Sequence, residues 1–499
     1  MNTVLFLSTL AGVSMVLQYA YQALLANFWG TSNLMDAYWI AIVLPTMVHS
    51  VLTGTLTYSF LPILVKQQVL GTKVKTHITS GVFNFLILIS FLLLALLYFN
   101  SERVTSVIGI GLRKEVKNNA QELLKILSLA LPFLFVSTGA TSIYYSERHF
   151  YKPTLSIIAG NIISIIFVLI LKDRVGIYSA AWAFVGSSVV QFFILSPALV
   201  GNYRLCYRNS IVLKELFRNM LPLLIGDLYR KIDMIVDRLI ASFLPAGSIS
   251  YIGYSQRIVQ SLTSVTIKGL SESRFPELAK QAIENKSVMR QHINKLFRQV
   301  LFTIAPIVAI IILFIRPLVK IFFERGAFTQ VSTEKVSFAI LAFIGVYIAG
   351  TLGTISANVF YCLQKTKTIA KIIVFVMTFG MMLKILGAVT IGYLGIALAT
   401  SFYFLLSLSI QLIIIKKKYD LIDFKVLRSD IVKIICAATT AFIFVFLMKA
   451  FFIDNFLMLF IEMFIFFILY FTTTSFLKIK EGQKVINFIF LSRRIITAE

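Results

Sequence analysis

Six charged side chains lie within one apolar stretch of the chain, residues 226–244 (GDLYRKIDMIVDRLIASFL). At 100° per residue they occupy less than half of a helix circumference, so they form one polar face. A charge at the centre of a bilayer costs about 2.5 to 3.5 kcal/mol on insertion scales, so this face must contact a polar cavity or a partner helix. The six residues are Asp227, Arg230, Lys231, Asp233, Asp237 and Arg238.

The next apolar stretch adds Gln256, Arg257 and Lys268, which gives the two stretches together five cations and three carboxylates. This surplus of positive charge favours an anionic substrate group, and phosphate suits the guanidinium fork. The alternative is that Asp and Arg pair at i,i+3 or i,i+4 spacing simply to hold helices together. Arg257 has no acid at helical spacing within its own stretch, which favours a binding role.

Three further polar residues lie in or beside apolar stretches. His49 suits helix packing, although an intramembrane imidazole can also titrate or bind phosphate. Asp36 suits either a helix N-cap or a substrate contact. Glu462, in the last apolar stretch, has no role that the sequence specifies. We therefore add Asp36 and His49 to the predicted substrate-binding residues.

The elements that carry these residues are transmembrane helices. The chain has 499 residues, of which 58% are hydrophobic, and its net charge is +25. Its Lys and Arg crowd beside apolar stretches, as membrane topology and anionic headgroups require, so we expect a membrane partner and no nucleic acid. The first 28 residues lack a basic region and a cleavage site, which predicts a retained span. The gaps between stretches are too short for a soluble catalytic domain.

Apolar stretches of about 20 residues predict fourteen spans and an all-α polytopic protein. Loops after even-numbered spans carry most of the Lys and Arg, which predicts that both termini are cytoplasmic. The predicted spans cover residues 3–26, 37–63, 78–98, 122–145, 154–171, 175–200, 219–244, 248–270, 299–322, 336–362, 369–391, 394–415, 430–451 and 455–477.

The first and seventh spans resemble each other. "LLANFWGTSNLMDAYW" aligns with "LIASFLPAGSISYIGY", so that Ala26 pairs with Ala241 and Phe28 with Phe243. The sequence therefore predicts two parallel six-helix lobes, residues 1–210 and 211–420, and two additional helices with a cytoplasmic tail, residues 421–499. Transporters built from such repeats bind their substrate where the halves meet.

Motifs for cofactors and enzymes are missing from the sequence. It has no GxxxxGK[ST] and no HExxH, its four histidines are dispersed, and "GIG" at 109–111 fits a loop. Cys206, Cys362 and Cys436 lack CxxC spacing, so we expect no disulfide and no zinc site. We predict no cofactor and no metal, and a transporter instead of an enzyme.

Three segments resemble the MurJ/MviN family of lipid-linked precursor flippases in the MOP superfamily: "LLANFWGTSNLMDAYW", "IASFLPAGSISYIGYSQRI" and "FFERGAFT". The resemblance implies fourteen helices, a cationic central cavity, and a tail groove beside the last two helices. It also implies that Arg257 is a cavity arginine.

The sequence departs from the family pattern at two places. The resemblance places Met15, Tyr21 and His49 where lipid II flippases carry essential arginines, and Gly380 and Lys384 where some members bind sodium. We hypothesise that Arg230, Lys231 and Arg238 replace the missing charge. We further hypothesise that the Lys384 ammonium lies near Asp233 or Asp237 and replaces a bound cation.

These features predict a flippase of the bacterial cytoplasmic membrane that moves an undecaprenyl-diphosphate-linked sugar or oligosaccharide by alternating access. Lipid II itself is the alternative substrate, and a MATE-type drug antiporter is a more distant one, disfavoured by the surplus of cations. An enzyme would need a large extracytoplasmic loop or a boundary His/Asp pair. We expect a monomeric protein. Its expected partners are the lipid-linked glycan, membrane lipids and enzymes of polysaccharide or cell-wall synthesis.

Overall fold

The computed structural model describes residues 3–68, 72–204, 211–270, 286–363, 365–449 and 456–487, and every regular element within these ranges is a helix. The predicted all-α polytopic class is confirmed. Ten of the described helices or helix pairs are long and apolar enough to cross a membrane, and an eleventh is added if two helices bent by 42° count as one span. The predicted number of fourteen stays a prediction.

The contacts divide the chain into two compact units, of which the first comprises Met1–Gly253 and Phe323–Ser332. Its core lies between α2, α3 and α6, where Phe60, Phe83 and Phe135 are almost fully buried. The helices of this unit are α1 Thr3–Trp29, α2 Asn33–Gln68, α3 Thr72–Phe99, α4 Ser101–Ile108, α5 Lys114–Ser128, α6 Leu131–Ser146, α7 Tyr151–Val175, α8 Tyr178–Leu195 and α9 Ile211–Ala241.

The bend of 42° lies between α5 and α6. Pro132 occupies the start of α6. A proline has no N–H to donate to the carbonyl four residues earlier, and its ring clashes with that carbonyl, so a continuous helix is interrupted there. The predicted span at 122–145 is therefore two helices.

The second unit comprises Tyr254–Phe322 and Thr333–Glu499. The predicted span at 336–362 is divided at Phe343 into two helices. The helices of this unit are α10 Ser248–Leu270, whose first turns belong to the first unit, α11 Lys286–Phe323, α12 Gln330–Ala342, α13 Ile344–Cys362, α14 Thr366–Ile391, α15 Tyr393–Ile414, α16 Phe424–Met448 and α17 Phe456–Phe476.

Helix α11 contains two internal prolines, Pro306 and Pro317. Each removes the hydrogen bond to the carbonyl four residues earlier, which frees the oxygens of Phe302 and Leu313. In an apolar environment a freed carbonyl needs another donor. The Tyr470 hydroxyl of α17 donates to Phe302 O at 2.8 Å, and Lys449 Nζ, directly after α16, donates to Leu313 O at 3.1 Å. The last two helices are thus hydrogen-bonded to α11 at both proline sites.

Two glycine-containing turns contact helix ends in the first unit. Gly326, in "FFERGAFT", has a φ of +55°, and a Cβ there would overlap Asn27 O, which accepts a hydrogen bond from Ala327 N at 2.8 Å. Gly111 N donates to Ser242 Oγ at 3.1 Å just after α9, and a Cβ on Gly111 would lie 2.5 Å from Ser242 O. The spacing that pairs Ala26 with Ala241 also pairs Asn27 with Ser242 and Gly111 with Gly326. The two contacts are therefore equivalent under the predicted repeat.

We expect Tyr470→Phe to destabilise the protein by about 1 to 3 kcal/mol, because the buried Phe302 carbonyl would lose its donor while the ring packing stays intact. The measurement is thermal unfolding of the purified full chain in detergent. Tyr98→Phe is the matched control, since Tyr98 is exposed. Equal unfolding temperatures for the two variants would show that the Tyr470 hydrogen bond does not stabilise the fold.

Candidate functional site

The charged side chains of α9 differ in solvent exposure along the helix. Near the middle of the helix, Arg230 pairs with Asp227 one turn earlier, and the Arg230 side chain is 54% exposed. The Asp227 carboxylate lies against α2, where a Cβ added to Gly54 would be 2.9 Å from Asp227 Oδ2. Lys231 is half-buried. This end of the face therefore keeps an accessible guanidinium beside a carboxylate that packs against a neighbouring helix.

The last two turns of α9 carry buried charges. Asp233 and Asp237 are buried, and the Arg238 side chain is only 2% exposed. The Arg238 guanidinium lies 5.7 Å from the centre of the Trp39 ring and interacts electrostatically with Asp237 and Asp36. Since a buried cation is stabilised by such partners, Arg238 holds α9 against α2.

Asp36 joins α2 to the start of α10. One carboxylate oxygen accepts a hydrogen bond from Gly247 N at 2.7 Å, and the other accepts from Ser250 N at 2.8 Å and Ser250 Oγ at 2.5 Å. Backbone N–H groups at a helix start have no partner within the helix, and a carboxylate there also interacts favourably with the helix dipole. Asp36 thus caps α10, a helix that begins more than 200 residues later in the chain.

His49 contacts a hydroxyl of the same unit. The Thr138 hydroxyl donates to Leu134 O at 2.9 Å, so its oxygen is available to accept from His49 Nε2, 3.2 Å away. Tyr21 is another position where, by the resemblance, lipid II flippases carry an arginine. Its hydroxyl donates a hydrogen bond to Ala180 O at 3.4 Å. Both side chains thus pack against neighbouring helices, and Met15 is partly buried in α1.

Three predicted cations belong to the second unit. Arg257 is partly buried on α10 and interacts within the described structure. Lys268 lies on the same helix, but its side chain is outside the described residues. Lys384 is fully buried on α14, and its ammonium lies 5.3 Å from the centre of the Tyr403 ring. The predicted proximity of Lys384 to Asp233 or Asp237 stays a prediction.

The close approach of α14 and α15 explains how Lys384 reaches Tyr403. A Cβ added to Gly380 would overlap the Tyr403 ring, and one added to Gly395 would overlap the backbone of Gly387. Small residues at a helix interface let the two backbones approach closely within a membrane. Because Gly380 has no side chain, the Tyr403 ring can pack against α14, where it contacts the Lys384 ammonium.

Some contacts of this site were absent from the sequence prediction. Trp39 was not assigned a role, although its ring lies against both Arg238 and Gly253. Gly247 and Ser250 were also missed; the small polar residues of "GSIS" before an apolar stretch are a helix-start signal that could have identified them. Among the described residues, no group of three His, Cys, Asp or Glu side chains could hold a metal ion.

Comparison with known proteins identifies the family. The family model described as lipid II flippase MurJ matches residues 25–469. The chain belongs to this family. The protein is therefore a transporter and not an enzyme. It is a polytopic membrane protein, and its substrate class is a lipid-linked glycan precursor. The predicted kinship with MurJ and the MOP superfamily is confirmed.

Individual MurJ proteins match most of the chain. A probable lipid II flippase MurJ from Buchnera aphidicola subsp. Schizaphis graminum is 28% identical over 67% of this chain and 69% of its own length. The lipid II flippase MurJ of Thermosipho africanus is 27% identical over 80% of this chain and 83% of its own length. A MurJ structure in an inward closed conformation has a TM-score of 0.82 at 25% identity, covering 95% of this chain and 98% of that one.

Transporters of the MATE family share the fold more loosely. An inward-facing MATE transporter of the MOP superfamily has a TM-score of 0.64 at 15% identity over 80% of this chain and 96% of its own. At this identity the likeness shows a common architecture alone. It gives no support to drug transport by this MurJ family member.

We expect Asp36→Asn to destabilise the protein by about 2 to 4 kcal/mol, because the amide loses the charge that faces Arg238 and can no longer accept all three hydrogen bonds. Thermal unfolding in detergent measures the change. Asp173→Asn removes the same charge at an exposed site, where the carboxylate pairs with the adjacent Lys172, and we expect little effect there. An unfolding temperature of Asp36→Asn equal to that of this control would contradict the capping role.

Proposed function

We propose that the chain translocates lipid II, the undecaprenyl-diphosphate-linked peptidoglycan precursor, across the bacterial cytoplasmic membrane. The observation that carries this proposal is the family match over residues 25–469, which includes the charged face of α9 and the start of α10. Relatives named lipid II flippases support this alternative better than the polysaccharide precursor that the sequence favoured. Both substrates share a diphosphate and a polyprenyl tail.

The diphosphate would be bound by the accessible cations. Arg230 is the strongest candidate on α9, since its side chain is exposed while its position is fixed through Asp227. A guanidinium donates hydrogen bonds in a fork that matches phosphate oxygens. The predicted substrate-binding roles of Lys231, Arg257 and Lys268 stay predictions. Arg238 would instead hold helices together, because it is buried among Trp39, Asp237 and Asp36.

Release of the substrate requires that this binding be moderate. Asp227 beside Arg230 reduces the net charge that a diphosphate meets, and Asp233 and Asp237 reduce the charge of α9 as a whole. A transporter must bind its substrate on one side and release it on the other, so a partly neutralised site suits alternating access. The predicted cytoplasmic orientation of both termini is part of this proposal.

The substrate is tested by complementation of a bacterial strain depleted of its own lipid II flippase. We expect the wild-type chain to restore growth. We expect Arg230→Gln to lower lipid II flipping about tenfold or more, since one charge-assisted hydrogen bond to the diphosphate is lost. Arg174→Gln is the control, because Arg174 is exposed at the end of α7.

The outcome separates the two substrates. If the chain is present in the membrane but fails to restore growth, and instead restores export of a surface polysaccharide in a strain that lacks that flippase, lipid II is the wrong substrate. If Arg230→Gln and Arg174→Gln support equal flipping, the assignment of Arg230 to the diphosphate fails even where growth is restored.

A second prediction concerns the coupling ion. We propose that the buried Lys384 ammonium replaces the sodium that some family members bind, so flipping in proteoliposomes should be unchanged when choline replaces sodium. Lys384→Met should reduce flipping strongly, because a permanently placed positive charge is removed. Lys335→Met is the control, since Lys335 also lies over a tyrosine ring, that of Tyr393, but at an exposed position. Flipping by the wild-type chain that depends on sodium would refute the proposal.

A further inference from the structure

Gly54 lies in the interior of α2, where glycine is less favourable than alanine because its backbone loses more freedom on folding. A Cβ added there would lie 2.9 Å from Asp227 Oδ2 on α9. Apart from the neighbouring backbone of α2, no other heavy atom of the described residues lies within 4 Å of that position. The space for a side chain at residue 54 is therefore occupied by one carboxylate oxygen of another helix.

This environment differs from that of a glycine required for helix packing. A Cβ on Gly139 of α6 would lie 2.7 Å from the Phe83 ring, which is almost fully buried in the core and has no space to move into. The Asp227 carboxylate is instead the end of a short side chain that can rotate about its own bonds. A methyl group at residue 54 would thus displace the carboxylate and leave the two helices in place.

Asp227 is the common partner of two cations. Its Oδ1 accepts a hydrogen bond from Arg230 Nη2, and its charge also interacts with that of Lys231. Residues three and four positions later lie one turn further along the same side of a helix, so one carboxylate can contact both. Because Oδ2 of this carboxylate lies at Gly54, α2 determines where both cations are held.

Solvent exposure separates the carboxylate from the guanidinium. The Asp227 side chain is 19% exposed, whereas the Arg230 side chain is 54% exposed. A guanidinium has five N–H groups, so donors remain for a phosphate after the bond to Asp227. A carboxylate displaced from the space beside Gly54 would move toward the accessible side and compete with a phosphate for the same guanidinium.

We propose that Gly54 is a positioning residue for the binding of the lipid diphosphate. Its missing side chain leaves the space that keeps the Asp227 carboxylate against α2, so that Arg230 is held in place and still open to the anion. The inference rests on the proposed function, in which Arg230 binds the diphosphate. It adds that the size of residue 54, on a different helix, sets the affinity of this site.

The test measures binding of undecaprenyl diphosphate to the full-length chain in detergent by native mass spectrometry. We expect Gly54→Ala to bind it at least about fivefold more weakly than the wild-type chain does, because the displaced carboxylate weakens a charge-assisted contact. Gly353→Ala is the matched control, with wild-type affinity expected. Gly353 lies in the interior of α13, and apart from the neighbouring backbone no described atom lies within 4 Å of its added Cβ.

Two further measurements separate this role from a purely structural one. Both alanine variants should unfold at the wild-type temperature or above it, because alanine favours a helix more than glycine does. In proteoliposomes, Gly54→Ala should raise the lipid II fraction at half-maximal flipping, while the maximal rate changes by less than about twofold. A glycine that served helix packing would give an unstable alanine variant instead.

A double variant tests whether Gly54 acts through Asp227. In Gly54→Ala/Asp227→Ala the carboxylate is missing, so the added methyl group has nothing to displace. We expect the affinity of this double variant for undecaprenyl diphosphate to equal that of Asp227→Ala alone.

Three results would overturn the inference while Arg230→Gln still weakens binding. Gly54→Ala binds undecaprenyl diphosphate as well as Gly353→Ala does, or it unfolds at a lower temperature than Gly353→Ala, or it weakens binding equally in the Asp227→Ala background. Failure of the proposed function gives a different result. Wild-type affinity of Arg230→Gln for undecaprenyl diphosphate would overturn the assignment of Arg230 to the diphosphate, and the inference with it.

Discussion

A polar group inside a membrane protein must find a partner within the protein, and this requirement determines how the described helices are joined. Pro306 and Pro317 each free a carbonyl of α11, and Tyr470 and Lys449 donate to these two oxygens. At the start of α10, the backbone N–H groups of Gly247 and Ser250 lack partners within the helix and donate to the Asp36 carboxylate. Apolar packing alone would allow the helices to slide, whereas these bonds fix which turn of one helix meets which residue of another.

The same requirement divides the charges of the protein by accessibility. Arg238 and Lys384 are buried, and each lies over an aromatic ring that partly replaces water. The Arg230 side chain is 54% exposed and can exchange water for an anion. Burial therefore separates the cations that are enclosed by the protein from those that can reach a ligand, a difference that the sequence alone does not show.

Hydropathy and helical periodicity predicted the helical class and most of the spans, because these depend on residues that are close in the chain. Partners distant in sequence could not be predicted in this way. The cap formed by Asp36 needs Gly247 and Ser250, and the donor for Phe302 is Tyr470; no local pattern links such pairs. Pro306 alone predicts a freed carbonyl, but not the hydroxyl that reaches it. The division of α9 into a buried and an exposed end likewise depends on neighbouring helices.

The equivalent contacts of Gly111 and Gly326 bear on how a MurJ-type transporter changes conformation. Each turn contacts the end of a helix in the other half of the predicted repeat, Ser242 after α9 and Asn27 in α1, and Asp36 caps α10 beside them. Any motion that separates the two halves of the predicted repeat at this end must break all of these bonds. The alternating-access motion proposed above would therefore exchange these contacts as a set, and tightly packed contacts of this kind favour two discrete arrangements over a continuous series.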